Sequence, residues 1–283
     1  MKVTIRAATD TGKVRDHNED YYAALEGKGS LPGVDALLVV ADGMGGHAAG
    51  EVASKMTVEG IVRSLNDQRE EVSKLEGNAF GMFLGKVLEE VNQEVWQAAQ
   101  DDDKRGMGTT CTLVAIRGDQ LFLAHIGDSR AYLLREGKIH QVSKDHSWVE
   151  DAVDQGVITR EEARVHPNRN VITRAIGLDQ QPQIDTSAMP LADGDLLLLC
   201  SDGLNSMIPD EDIHRILQES PTDAVCGDLI MAANEAGGHD NTTVVTAMLG
   251  AGLSTGPSAQ DTLDIRPKLS LWDRVRRFVF RRK

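Results

Sequence analysis

"TTCTLVAIRGDQLFLAHIGDSRAYLLREGKIHQVS", Thr109 to Ser143, is the stretch that decides the fold. Apolar runs of strand length alternate with short polar breaks, and turn residues stand at Gly118-Asp119 and Glu136-Gly137. That pattern predicts a β-meander. Further along, "DLLLLC" and "NTTVVTAML" predict two more buried strands. On the N-terminal side, "GEVASKMTVEGIVRSLND" and "AFGMFLGKVLEEVNQEVWQAAQ" place apolar residues at helical spacing. "DEDIHRILQES" and "PTDAVCGDLIMAANEAG" do the same, the second with Pro221 near its start. Long helices mixed with hairpins, without strict βαβ alternation, predict a layered α+β protein.

Composition narrows the class. The chain has 283 residues and is 41% hydrophobic, enough to build a sizeable core in one large domain or two small ones. No internal repeat is visible. A net charge of −14 argues against a nucleic-acid binder. Cys111, Cys200 and Cys226 are far apart and form no CxxC pair, so neither a disulfide framework nor a zinc-thiolate site is expected. "MKVTIRAATDTGKVRDHNED" has no hydrophobic signal core, and no apolar run is long enough to cross a bilayer. A cytoplasmic location is the expectation.

The acids carry the chemistry. "ALLVVADG" ends in Asp42-Gly43, "LFLAHIGDS" in Asp128 and "LLLLCSDG" in Asp202-Gly203. Asp240 precedes a strand in "GGHDNTTVV", and Glu19 and Asp20 sit in "RDHNED" before "YYAAL". One Asp-Gly pair alone is an ordinary turn. Adjacent strands that each end in Asp gather carboxylates at one sheet edge, where their mutual repulsion needs neutralising. Oxygen-only ligands suit Mg²⁺ or Mn²⁺ rather than Zn²⁺, and glycine beside the acid leaves room for a carbonyl or a water.

"RDHNED", "VVADGMGGHAAGEVAS", "GMGTTCT", "AHIGDSRAYLL", "VSKDHSWV", "ITRAIG", "LLLLCSDGL" and "HDNTTVVTAML" follow one another in this order. Together they resemble the metal-dependent Ser/Thr protein phosphatases, the type 2C or PPM family, in its bacterial form. The resemblance implies a four-layer α-β-β-α sandwich with two central antiparallel β-sheets flanked by helices. It implies a phosphoserine and phosphothreonine phosphatase that opposes Ser/Thr kinases in bacterial signalling, with two or three Mn²⁺ or Mg²⁺ ions. It assigns Asp42 as a bridging ligand, Asp202 and Asp240 to the first ion, and Glu19 and the Gly43 carbonyl to the second. Asp128 with Asp202 would offer a third position. Asp20 would orient a water and Arg15 would grip the substrate phosphate. Paired metals lower the pKa of a shared water for in-line attack on phosphorus, and an arginine fork neutralises phosphoryl oxygens.

One position departs from the family. Animal members carry a histidine two residues after the first metal aspartate, and here that residue is Met44. The leaving alkoxide still needs a proton, so a water at the Asp128 position is the expected donor. His47 and His239 are expected to be structural. "DHS" at Asp145–Ser147 is expected to start a helix, and Ser129, without a paired base, to sit in a turn. "GMGGHAAG" lacks the Lys-Ser/Thr pair of a P-loop. Residues 150–185 occupy the place of the family's flap, equally a substrate-selecting element or a surface excursion.

The chain is expected to divide into a catalytic domain at 1–250, a flexible Gly/Ser/Pro-rich linker at 251–268 and a basic amphipathic tail at 269–283. Residues 266–283 hold eight Lys or Arg against one Asp, opposite in charge to the body. Leu271, Trp272, Val275, Phe278 and Val279 fall at helical spacing, a pattern suited to a membrane surface or a partner. The expected partners are phosphoproteins, with no nucleic acid, and a monomer is expected. Two competing readings are a non-catalytic binding module, disfavoured because the metal acids are all present, and a hydrolase of small phosphoesters or nucleotides.

Overall fold

In a computed structural model, the residues described are 2–26, 31, 33–45 and 49–250, with the backbone of Leu263–Asp264. Two antiparallel sheets form the centre. The seven-stranded path includes β2 (Asp20–Glu26), β3 (Ala36–Met44), β5 (Cys111–Arg117), β6 (Gln120–Ile126), β9 (Asp185–Pro190) and β12 (Leu263–Asp264), in the order β12-β9-β6-β5-β3-β2, and the short β4 (Gly108–Thr109) pairs with the end of β3. The five-stranded sheet runs β1-β11-β10-β7-β8, with β1 (Val3–Asp10), β7 (Arg130–Arg135), β8 (Lys138–Gln141), β10 (Leu196–Cys200) and β11 (Thr242–Leu249).

Alternation along β3 explains the layering. Ala36, Leu38 and Val40 enter the core between the sheets, where they meet Leu133, Leu197, Leu199 and Val245. Leu37, Val39 and Ala41 point the other way, into the core under α1 (Ala49–Asp67) and α3 (Gly77–Ala98). Both faces of the strand are covered, so its run is continuously apolar. Each such buried Leu or Val contributes about 1.5–3 kcal/mol relative to exposure. Behind the other sheet, Leu196, Leu198 and Cys200 pack on α7 (Asp210–Glu219) and α8 (Val225–Glu235) through Ile213, Ile216, Leu217 and Leu229. The four layers are those that the family resemblance implies.

The meander is not one sheet. β5 and β6 belong to the seven-stranded sheet, whereas β7 and β8 belong to the five-stranded one. The chain crosses between them at Gly127-Asp128-Ser129. Gly127 has φ of +111°, and a Cβ there would lie 2.5 Å from Thr110 Cβ, so only glycine makes this crossing. The expected hairpin turns are present: Glu136 and Gly137 both have positive φ, at 52° and 71°, the conformation a two-residue hairpin loop demands. The helix anticipated from Pro221 begins later, at Val225, because the Pro221 carbonyl first closes a turn on the Ala224 and Val225 amides.

Residues 150–185 carry most of α4 (Trp148–Asp154) and all of α5 (Arg160–Val165). Ser147 caps α4 by accepting from the Glu150 amide, as "DHS" suggested. α5 has a full capping box between Thr159 and Glu162 yet buries none of its residues. Leu263–Asp264, inside the segment anticipated as a linker, pairs with β9. His47 and the basic tail lie outside the described residues.

Candidate active site

The strand-end acids meet at one end of the sandwich because antiparallel registry puts them there. Asp20 opens β2 directly opposite Asp42 near the end of β3. Asp128 occupies the crossing between the sheets, Asp202 opens the short helix α6 (Asp202–Asn205) after β10, and Asp240 lies in the turn leading into β11.

Polar neighbours hold Asp42, Asp20 and Glu19 from behind. The Asp42 amide donates to Thr110 Oγ1 at 3.0 Å, and the Asp42 carbonyl accepts from the Thr110 amide at 2.9 Å and Thr109 Oγ1 at 2.8 Å. Thr110 Oγ1 also shares a 2.6 Å hydrogen bond with Ser129 Oγ, which ties the Asp42 strand to the Asp128 crossing. Ser129 is thus a buried link between strands, without a base. Ser201 Oγ donates to Asp20 Oδ2 at 2.7 Å. Asn241 accepts the Glu19 amide at 2.8 Å and donates to the Thr11 and His17 carbonyls at 3.0 and 2.9 Å. It pins the whole "RDHNED" loop. Asn241, Ser201 and Thr110 were not singled out from the sequence, although each lies within or beside a motif that contributes an acid.

The glycines of both Asp-Gly pairs have a packing reason. A Cβ on Gly43 would lie 2.2 Å from the Gly50 carbonyl oxygen and 2.5 Å from that of Glu19. A Cβ on Gly203 would lie 2.0 Å from the Asn241 carbonyl oxygen. Neither glycine has a positive φ, so these are close-approach glycines rather than turn glycines.

Electrostatically the cluster is unfinished. Glu19 Oε1, Asp20 Oδ1 and Asp128 Oδ1 are buried without a hydrogen-bond partner. Burial is the largest cause raising Asp20 to about 7 and Asp202 to about 6. Burial first, then the neighbouring carboxylates, holds Asp42 and Asp128 well above the usual carboxylate range. Arg15 is drawn in: its Nη2 donates to Asp240 Oδ2 at 2.7 Å, a contact that raises the arginine pKa further. The residue expected to grip phosphate is therefore beside the cluster, bonded to an expected metal ligand. Met44 pairs with Gly108 and brings no titratable group. His239 is exposed in its loop.

Among the described residues, no three Asp, Glu, His or Cys side chains converge into a ready-made metal cage. An ion here would complete its shell with waters or backbone carbonyls beside the carboxylates. That is how Mg²⁺ and similar hard ions bind. The orphaned oxygens and the mutual repulsion of the acids fit such ions. On the side of Asp128 and Asp202, a cavity of about 210 Å³ opens toward α4 and α5, lined also by Arg130, Asp145, Arg164 and Arg169. Asp145 there receives Arg130 through both carboxylate oxygens. No helix among the described residues is long and apolar enough to cross a membrane.

The chain is similar to known proteins. Residues 13–227 match the family described as protein phosphatase 2C. The chain is 40% identical over 240 residues to the serine/threonine phosphatase stp of Listeria monocytogenes, covering 84% of this chain and 92% of that protein. It superposes on the crystal structure of the Mycobacterium tuberculosis serine/threonine phosphatase PstP/Ppp with a TM-score of 0.75 and 38% identity, over 88% of this chain and 99% of that one. A structure of the PstP catalytic domain in complex with two manganese ions gives a TM-score of 0.72 and 36% identity, over 88% and 99% of the two chains.

Proposed function

The chain belongs to the protein phosphatase 2C family, and from that premise we propose that it hydrolyses phosphoserine and phosphothreonine on proteins with bound Mn²⁺ or Mg²⁺. The observation that carries this reading is the set of buried carboxylate oxygens, on Glu19, Asp20 and Asp128, left without partners around Asp42 and Asp202. Glu19, Asp42, the Gly43 carbonyl, Asp202 and Asp240 would hold two ions, and Asp128 with Asp202 a third. Such ions supply a water of lowered pKa and neutralise phosphoryl oxygens.

The chain's own residues do the rest. Asp20, fixed at Oδ2 by Ser201, presents its free Oδ1 to accept a hydrogen bond from the attacking water. Arg15, at the half-exposed rim beside Asp240, would offer its fork to the phosphoryl group. Asn241 keeps Glu19 in place through the backbone. Met44 cannot protonate the departing serine or threonine oxygen, so that proton comes from water near Asp128. The substrates are phosphoproteins of a Ser/Thr kinase. The basic stretch at 269–283 would place the enzyme at an anionic membrane surface or on a partner, by its sequence pattern.

The test is phosphate release from a phosphothreonine peptide, with chelator and then with added Mn²⁺, for wild type and Asp202→Asn. Metal-dependent release that the variant loses supports the reading. Folded protein that releases nothing with any divalent ion refutes it. Faster turnover of nucleotides than of the peptide would favour the small-phosphoester alternative.

A further inference from the structure

The cavity beside Asp128 and Asp202 contains four arginines, which differ in how they are satisfied. Arg130 is committed to Asp145, with Asp210 3.5 Å from its Nη1. Arg160 is committed to Glu150, with both terminal nitrogens 3.1–3.2 Å from its carboxylate. Arg164 and Arg169 are exposed and have no side-chain hydrogen bond or ion pair among the described residues. The cavity's outer acids, Asp145, Glu150 and Asp210, already face those first two arginines. What remains unpaired on the outer wall is positive.

The placement is systematic. Arg160, Ala163 and Arg164 line the cavity from one face of α5, at spacings of three and four residues. Arg169 follows in the next turn. α5 buries nothing, and it is held by its capping box and by Trp148 stacked on His166 at 4.7 Å. A helix with no core to fill presents Arg164, and the turn after it presents Arg169, two free guanidinium groups over the floor where the phosphoryl group would sit. About 210 Å³ is room for a side chain or two of an extended peptide, well short of a cofactor.

We infer that Arg164 and Arg169 select substrates with an anionic side chain flanking the phosphorylated residue, whether a carboxylate or a second phosphate. This rests on the proposed phosphatase activity of the same site. Planar guanidinium groups recognise both kinds of anion through paired N–H donors. The acidic body of the protein would otherwise repel such a segment, so the two arginines also set where it can approach.

The experiment uses the full chain with Mn²⁺ and three phosphothreonine peptides alike except for their flanks: neutral, two glutamates, or a second phosphothreonine. At low salt, kcat/KM for an anionic flank exceeds that for the neutral flank by about tenfold, a difference of about 1.4 kcal/mol, and the gain lies in KM. Glutamate and phosphothreonine peptides tell which anion is preferred. In the Arg164→Ala/Arg169→Ala double variant the ratio falls below about twofold, the Lys/Lys variant keeps part of it, and high salt erases it. Arg105→Ala, remote from the cavity and already paired to Asp102, leaves the ratio unchanged. A wild-type ratio near one, or an unchanged ratio in the double alanine variant, overturns the inference while turnover of the neutral peptide leaves the phosphatase reading standing. Folded enzyme that turns over none of the three peptides overturns both.

Discussion

The strand β10 has an aspartate at each end, and the two are treated in opposite ways. Asp195, just before the strand, is fully buried and saturated: Arg135 Nε donates to it at 2.8 Å, Arg135 Nη2 donates to its other oxygen, and the Ala192 amide adds a bond at 2.8 Å. Asp202, just after the strand, meets further carboxylates instead, in a cluster where three acids keep unpartnered oxygens. One protein thus shows both solutions for a carboxylate taken out of water. Where the chain needs stability it supplies an arginine. Where the acids gather, it supplies threonine, serine and asparagine props, and a cation from solution would neutralise the charge. Orphaned acids cost stability in the metal-free protein.

The comparison can be broken from either end. Arg135→Met strands Asp195 in the core and should destabilise the fold by about 3–5 kcal/mol, read by denaturant unfolding. If the loss is under about 1 kcal/mol, the arginine is not what satisfies this acid. Asp202→Asn should lower Mn²⁺-dependent phosphate release roughly 10²–10³-fold, while the chelated variant is at least as stable as chelated wild type, because a repelled charge is gone. A variant that keeps its activity, or that is less stable than wild type when both are chelated, would reverse the assignment.

A pH series sharpens the same contrast. Asp20 and Asp202 have folded pKa values of about 7 and about 6, above the ordinary 3.8. The metal-free fold therefore takes up protons before the unfolded chain does. This contribution is full below about pH 4 and is lost as pH rises through 6–7, on the order of a few kcal/mol. Chelated wild type should gain stability over Asp202→Asn as pH falls from 7 toward 4, in parallel thermal melts. His125, lowered by burial to about 3, pulls the other way below its ordinary 6.5 but is common to both proteins and cancels. Smaller effects follow from the backbone. Gly203→Ala drives a methyl into the Asn241 carbonyl and should cost about 1–3 kcal/mol. Thr159→Ala removes the α5 cap for about 1 kcal/mol, and since α5 buries nothing, the loss should appear as faster amide exchange in residues 160–165 with an unchanged global melting temperature.

The strand-end acids were legible because strand periodicity and chain order suffice to find them: "ALLVVADG" and "LLLLCSDG" show where an apolar run stops and a carboxylate begins. The helices α1, α3 and α7 were legible from apolar spacing. The split of the meander was not, since β6 and β7 look alike whether they share a sheet or lie in two. Only the contact of Gly127 with Thr110 reveals the crossing that carries Asp128. Asn241 escaped notice because its work is done through backbone groups of Thr11, His17 and Glu19, more than two hundred residues away in sequence. The Thr159/Glu162 capping box was a visible signal for α5, but the six residues after it have no apolar stripe to support it. The Asp-Gly glycines were read as room for a ligand or as turns, and they prove to be points where two backbones touch.

The acid end of the sandwich should be completed by divalent ions. Calorimetric titration of chelator-treated wild type with Mn²⁺, with melting temperature followed in parallel, tests it most directly. Binding of at least two ions per chain is expected, with a rise in stability of about 2.7 kcal/mol for each site held at a hundredfold excess over its Kd, and binding weakened in Asp202→Asn. Folded wild type that shows neither heat nor a shift with Mn²⁺ or Mg²⁺ would contradict it.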